Sequence, residues 1–139
     1  MSAARISAIL IAIAAAGCGG DTATTPTSPT TATATTVLFA GTLQPKATRF
    51  YSYTVTAAGT VTAMLASLEQ AGAPKPNALE LGLGIPAGTG CAVESPSSTT
   101  TSLVPQITQD AVIGTYCVRI TDAIGLPAPM NFTIRVIHP

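Results

Sequence analysis

From Val37 onward, apolar and polar residues alternate with a period of two. Arg49 to Thr56 sets Tyr51, Tyr53 and Val55 on one face and Ser52, Thr54 and Thr56 on the other. That pattern predicts a half-buried β-strand, because successive side chains of a strand point to opposite faces. Ala57-Ala58-Gly59 turns the chain, and Thr60 to Leu68 continues with Val61, Ala63 and Leu65 against Thr60, Thr62 and Met64. A helix competes over Ala63–Ala71, where Ala, Met, Leu and Glu all favour it. The Thr-Val-Thr opening and the turn before it favour a strand. Gln70 to Asn77 holds two Pro and a Gly and is expected to be a loop.

Leu79 to Ile85 alternates without a break, with Gly82 and Gly84 on its second face. Glycines there predict a close backbone approach or a bend. Cys91–Glu94 reads as a short strand and Ser95–Thr101 as a polar loop. Leu103–Thr108 reads as a strand that Pro105 confines to an edge. Gly114–Ile120 places Tyr116, Val118 and Ile120 on one face, and Asn131–Ile137 turns Phe132, Ile134 and Val136 inward. Seven to eight short strands between Gly/Pro turns predict an all-β fold, an antiparallel β-sandwich.

The first part of the chain has a different pattern. Met1 to Arg5 carries one positive side chain and no acid, and Ile6 to Ala16 is apolar apart from Ser7. An apolar run of this length suits an export signal and falls short of the roughly 20 residues of a spanning helix. Ala15-Ala16-Gly17-Cys18 closes the run and resembles the lipobox of bacterial lipoproteins, with Ala15 where Leu is usual. The resemblance implies cleavage between Gly17 and Cys18 and lipidation of Cys18. The competing reading is ordinary secretion, with cleavage after Ala14-Ala15-Ala16. Two or three acyl chains would hold the protein stably on a membrane, whereas one holds it marginally. Gly19 stands where an inner-membrane retention signal would place Asp, which points to the outer membrane of a bacterial envelope. Asp21 to Thr36 then holds nine Thr, three Ala, two Pro, one Ser and one Asp. So little apolar surface cannot offset chain entropy, and a disordered tether is expected. The domain organisation is therefore a signal peptide at 1–17, a lipidated tether at 18–36 and a sandwich at 37–139.

Composition narrows the function. The 122 residues from Cys18 carry five Lys+Arg against six Asp+Glu. There is no basic stripe for nucleic acid and no acidic tail. One domain is expected at this length. If Cys18 carries lipid, Cys91 and Cys117 remain as a pair suited to an oxidising compartment, and a disulfide between them is predicted. Cys117 shares its parity with Thr115 and Arg119, so the bond is expected off the main core face. The alternative is a metal site, for which two thiols and a single His make a poor ligand set.

The strand order carries a second resemblance. Phe39-Ala40-Gly41-Thr42-Leu43, Phe50–Val55 and Ala58-Gly59-Thr60-Val61 look like the opening half of the bacterial pre-peptidase C-terminal (PPC) domain. Leu79–Leu83 matches its central strand, and Gly114–Ile120 with Asn131–Val136 its closing pair. The resemblance covers Val37 to His138 and implies a jelly-roll-like β-sandwich that aids targeting or substrate contact. The chain departs from that family in carrying no peptidase. It also has Asn77-Ala78 in place of the aspartates before the central strand, with Glu80 the nearest acid.

No constellation for catalysis stands out. His138 is the single His and sits beside the C-terminus, where ends usually fray. Glu69, Glu80, Glu94, Asp110 and Asp122 fall in separate turns and strands, and a turn-capping role suits Asp110 and Asp122. Most of the aromatics take inward positions, Phe39 and Phe50 being the ones to watch for ligand stacking. The expectation is a non-catalytic, lipid-anchored binding or accessory module without cofactor or metal. Its expected partners are the membrane and a protein or polysaccharide ligand. The alternatives are a structural envelope protein associating through sheet edges, or an enzyme of unknown type. Mass spectrometry of the mature N-terminal peptide checks the first step: it should begin at Cys18 and carry diacylglycerol, and an unmodified N-terminus would overturn lipidation.

Overall fold

The computed structural model describes residues 32–139. Ten strands form in chain order: β1 (Thr35–Leu43), β2 (Thr48–Val55), β3 (Gly59–Gln70), β4 (Ala73–Pro74), β5 (Leu79–Ala87), β6 (Gly90–Val93), β7 (Ser97–Thr99), β8 (Ile107–Ala111), β9 (Gly114–Thr121) and β10 (Met130–His138). One sheet runs β1-β10-β3, with β4 and β8 on the outer side of β3; the other runs β2-β9-β5, with β6 and β7 beyond β5. All pairings are antiparallel. Pairing runs from the outside of the chain inward, β1 with β10, β2 with β9, β3 with β8 and β5 with β6/β7. That is jelly-roll winding of a β-sandwich.

Several stretches differ from the sequence expectation. The segment Leu103–Thr108 forms its strand only from Ile107, because the bonds before it go elsewhere. Ser102 N donates to Leu65 O at 2.9 Å and Gln106 N to Ala63 O at 2.9 Å, while Leu65 N donates to Gln106 Oε1 at 2.8 Å. The loop thus fills the edge of β3 between β8 and β4, and leaves Leu103 and Val104 in solvent. Met64, expected on the polar face, is fully buried, with Arg135 of the neighbouring strand donating to its sulfur at 3.1 Å. A bulge opposite Thr133/Ile134 shifts the register, so Leu68 joins Val61, Ala63 and Leu65 in the core despite its different parity. Ser97–Thr99, within the expected polar loop, pairs with Leu79–Leu81 as β7.

The core between the sheets is mostly aliphatic and includes Leu43, Val55, Leu65, Leu81, Val118, Ile120, Ile134 and Val136. Its large rings gather on the side where β1 and β2 face each other. Phe39 stacks on Tyr51 at 5.0 Å between centroids, Tyr51 meets Phe132 edge-on at 6.2 Å, and Tyr53 stacks on Tyr116 at 6.1 Å. The Tyr51 hydroxyl reaches across to donate to Ala40 O at 3.3 Å, tying β2 to β1. Gly41 leaves room for it, since a Cβ there would lie 2.6 Å from that oxygen.

The other side is held covalently. Cys91 and Cys117 form a disulfide with Cα atoms 5.9 Å apart. Both are buried but lie outside the inter-sheet core, as the parity of Cys117 requires. Gly84 is the register partner of Cys117 on β9 and of Val93 on β6. A Cβ on Gly84 would run into the Ala92 carbonyl, and one on Gly82 into the Val93 side chain. The β6 strand therefore folds over the outer face of β5, and Arg119 donates to Cys91 O at 3.4 Å beneath it. With a sequence separation of 26, the chain-entropy contribution of the bond is about 3–4 kcal/mol. Gly84→Ala should destabilise by about 1–3 kcal/mol, as overpacking does. Gly90→Ala, where the nearest atom is 3.7 Å from the added carbon, should stay within about 0.5 kcal/mol. Urea denaturation of both variants checks this, and equal midpoints would refute the close approach of β6.

Candidate functional site

Asp122 follows β9 at the end of the sandwich where β1 turns into β2, and is 3 % exposed. One carboxylate oxygen accepts from Lys46 N at 2.6 Å and Leu126 N at 2.6 Å, and the other from Gly125 N at 2.8 Å. Asp122 N donates to Ala47 O at 3.0 Å. Gly125 takes φ +105°, a conformation costly for any L side chain, which bends the chain back onto the carboxylate. The residue thus locks the β1–β2 turn to the β9–β10 connection and seats Leu126 as a buried plug. Burial pushes its pKa up, but the N–H groups of Lys46, Leu126, Gly125 and Ile124 outweigh it and hold the carboxyl below its ordinary value. Turn capping, expected of Asp110 and Asp122, is the role of Asp122 alone. Asp110 lies within β8 and accepts from the Thr60 hydroxyl of β3 at 3.1 Å.

The remaining candidates stay apart. Glu69 is on β3, Glu80 on β5 and Glu94 between β6 and β7. Among the described residues no three His, Cys, Asp or Glu side chains gather as a metal site. His138 is not frayed, contrary to expectation. It ends β10 opposite Thr35, is 5 % exposed and packs 5.3 Å from the ring of Tyr53. Thr56 N bonds Pro139 O beyond it. Tyr53 itself is pushed up to about 12, by burial first and by Tyr116 beside it. Phe39 is taken into the aromatic stack, whereas Phe50 stays exposed on the outer face of β2 beside its register partner Arg119. Gly17 and Cys18, the expected cleavage and lipidation residues, lie outside the described residues.

One concavity has the makings of a binding site. It opens between the sheets on the side away from the aromatic stack, with Leu83, Ile85 and Ala92 from β5 and β6 facing Ile107, Thr108 and Gln109 of β8. Glu94 and Ser95 close its rim, and its volume is about 380 Å³. Small-ligand clefts start near that size and combine an apolar floor with a few placed polar groups. Glu94 is its one ionisable side chain and accepts hydrogen bonds only, so the cleft suits a ligand that presents donors such as hydroxyl or amide groups. Sequence periodicity could not reveal it, because β8 and the β5–β6 hairpin meet only through the winding of the two sheets.

No family model matches the chain, and no curated protein matches its sequence.

Replacing Asp122 with Asn should cost about 1–3 kcal/mol, since a buried N–H loses its acceptor. The stability that ionised Asp122 contributes is present above the unfolded carboxyl pKa of about 3.9 and is lost as pH falls through the lower folded value. Thermal melts from neutral pH down through the carboxylate range should show a shallower acid limb in the variant. An identical acid limb would remove Asp122 from this role.

Proposed function

We propose that this chain is a lipoprotein of a bacterial envelope whose jelly-roll domain, PPC-like in its strand order, serves as a non-catalytic binding or accessory module. The disulfide carries this reading. With Cys91 and Cys117 joined, Cys18 is the one cysteine left over, and it stands at the end of an apolar export-type run. A structural disulfide also favours an oxidising compartment outside the cytosol. The jelly-roll winding supports the likeness to the PPC domain, and the cleft between β5–β6 and β8 is the surface best shaped to hold a ligand. A protein loop or polysaccharide with hydroxyl or amide groups fits its lining.

A second reading, association through sheet edges, rests on one observation. Among the described residues β1 pairs only with β10 and β2 only with β9, so each leaves a strand edge for another chain to extend. Photo-crosslinking in intact cells tests the two. A crosslinker at Gln109 should give a discrete adduct and one at Thr54, on the outer face of β2, none. Adducts only from β1 positions would favour edge association, and none from any site would leave a spacer.

A further inference from the structure

We propose that the end of the sandwich where β1 begins is a lipid-contacting surface, with the Val112-Ile113 turn resting in the headgroup layer of the membrane. The inference rests on the lipid-anchored reading and adds an orientation to it. The registers define that end. Thr35 opens β1 opposite His138, Val55 lies opposite Gly114, and Gly59 lies opposite Ala111. The β2–β3 turn, the β8–β9 turn and the β5–β6 hairpin tip therefore all reach the same end.

Its chemistry is distinct. Val112 and Ile113 are 67 % and 71 % exposed, and Ala58 and Pro86, at the same end, are exposed as well. None of residues 56–58, 85–89 or 112–114 is Asp, Glu, Lys or Arg; Asp110 is the nearest charged side chain along β8. The opposite end also displays an aliphatic side chain, Ile124, but sets it among Lys46, Glu69, Lys75, Glu80 and Asp122. The turn is also pinned, not collapsed: the Tyr116 hydroxyl bonds both N and O of Val112 at 3.1 Å. Two branched aliphatic side chains are thus displayed at a fixed tip. In water they gain nothing, and at a bilayer interface their apolar area leaves water.

The tether selects the lipid surface as the occupant. Sixteen residues lie between Cys18 and Thr35, so the covalent path from the expected anchor enters the domain at the end where β1 begins. With no charged side chain at the tip, contact should be insensitive to salt.

The full acylated chain, reconstituted in vesicles of phosphatidylethanolamine and phosphatidylglycerol with brominated acyl chains, provides the test. A fluorophore on Ile113→Cys should lose emission through bromine quenching, at low and high salt alike. The same fluorophore on Ile124→Cys, exposed at the opposite end, should not. Adding Val112→Glu to the Ile113→Cys protein should abolish the quenching while its thermal midpoint stays unchanged. Acylated protein with no quenching at 113, or with equal quenching at 113 and 124, overturns the proposal and leaves the anchor intact. A chain that mass spectrometry shows to be unacylated overturns both.

Discussion

Aromatic stacking along the β1–β2 side is the contact on which the rest of the domain depends. The chain has three Tyr, three Phe and no Trp, so it cannot fill a sandwich with rings throughout. It concentrates five of them, Phe39, Tyr51, Tyr53, Tyr116 and Phe132, where the outer strands of the two sheets face each other. Rings bury large areas at low conformational cost, so this side closes tightly. The far side has to be held by other means. There the disulfide, the β6 backbone lying on two glycines and the Ser102–Gln106 loop take over. A side held by backbone and covalent contacts is not filled by side chains, and the cleft opens there.

The two ends of the sandwich are as unlike as its two sides. One is closed by a polar lock in which Asp122 satisfies three backbone N–H groups and seats Leu126 among charged neighbours. The other is closed by His138 against Tyr53 and displays the exposed Val112 and Ile113. For a domain held at one end the difference has a physical consequence, because one end is kept close to a surface and the other away from it.

The cysteines connect these features to compartment. Disulfide closure between Cys91 and Cys117 lends stability to a domain short of large side chains, and favours an oxidising environment. That is the setting in which Cys18, after an apolar run, would be acylated. A cleft on one side, a lock at one end and exposed aliphatic side chains at the other are the features on which the proposed envelope module would draw.

Much of this was legible in the amino-acid sequence. Period-two alternation around Tyr51–Val55, Tyr116–Ile120 and Phe132–Val136 determined strands and their inward faces, because strand geometry alone assigns side chains to faces. The parity of Cys117 placed its bond off the core for the same reason, and Gly82 and Gly84 announced a close approach without naming the neighbour. Tertiary structure decided whatever depends on contacts distant in sequence. The bulge that brings Leu68 inward exists only against β10, and the Leu103–Gln106 segment leaves the strand because Leu65 and Ala63 need partners. Strand pairing held His138 in place at a chain end expected to fray, and the carboxylate of Asp122 found its three donors only once two distant turns met. Local periodicity reports which way a side chain points; which atoms it meets depends on how the sheets are wound.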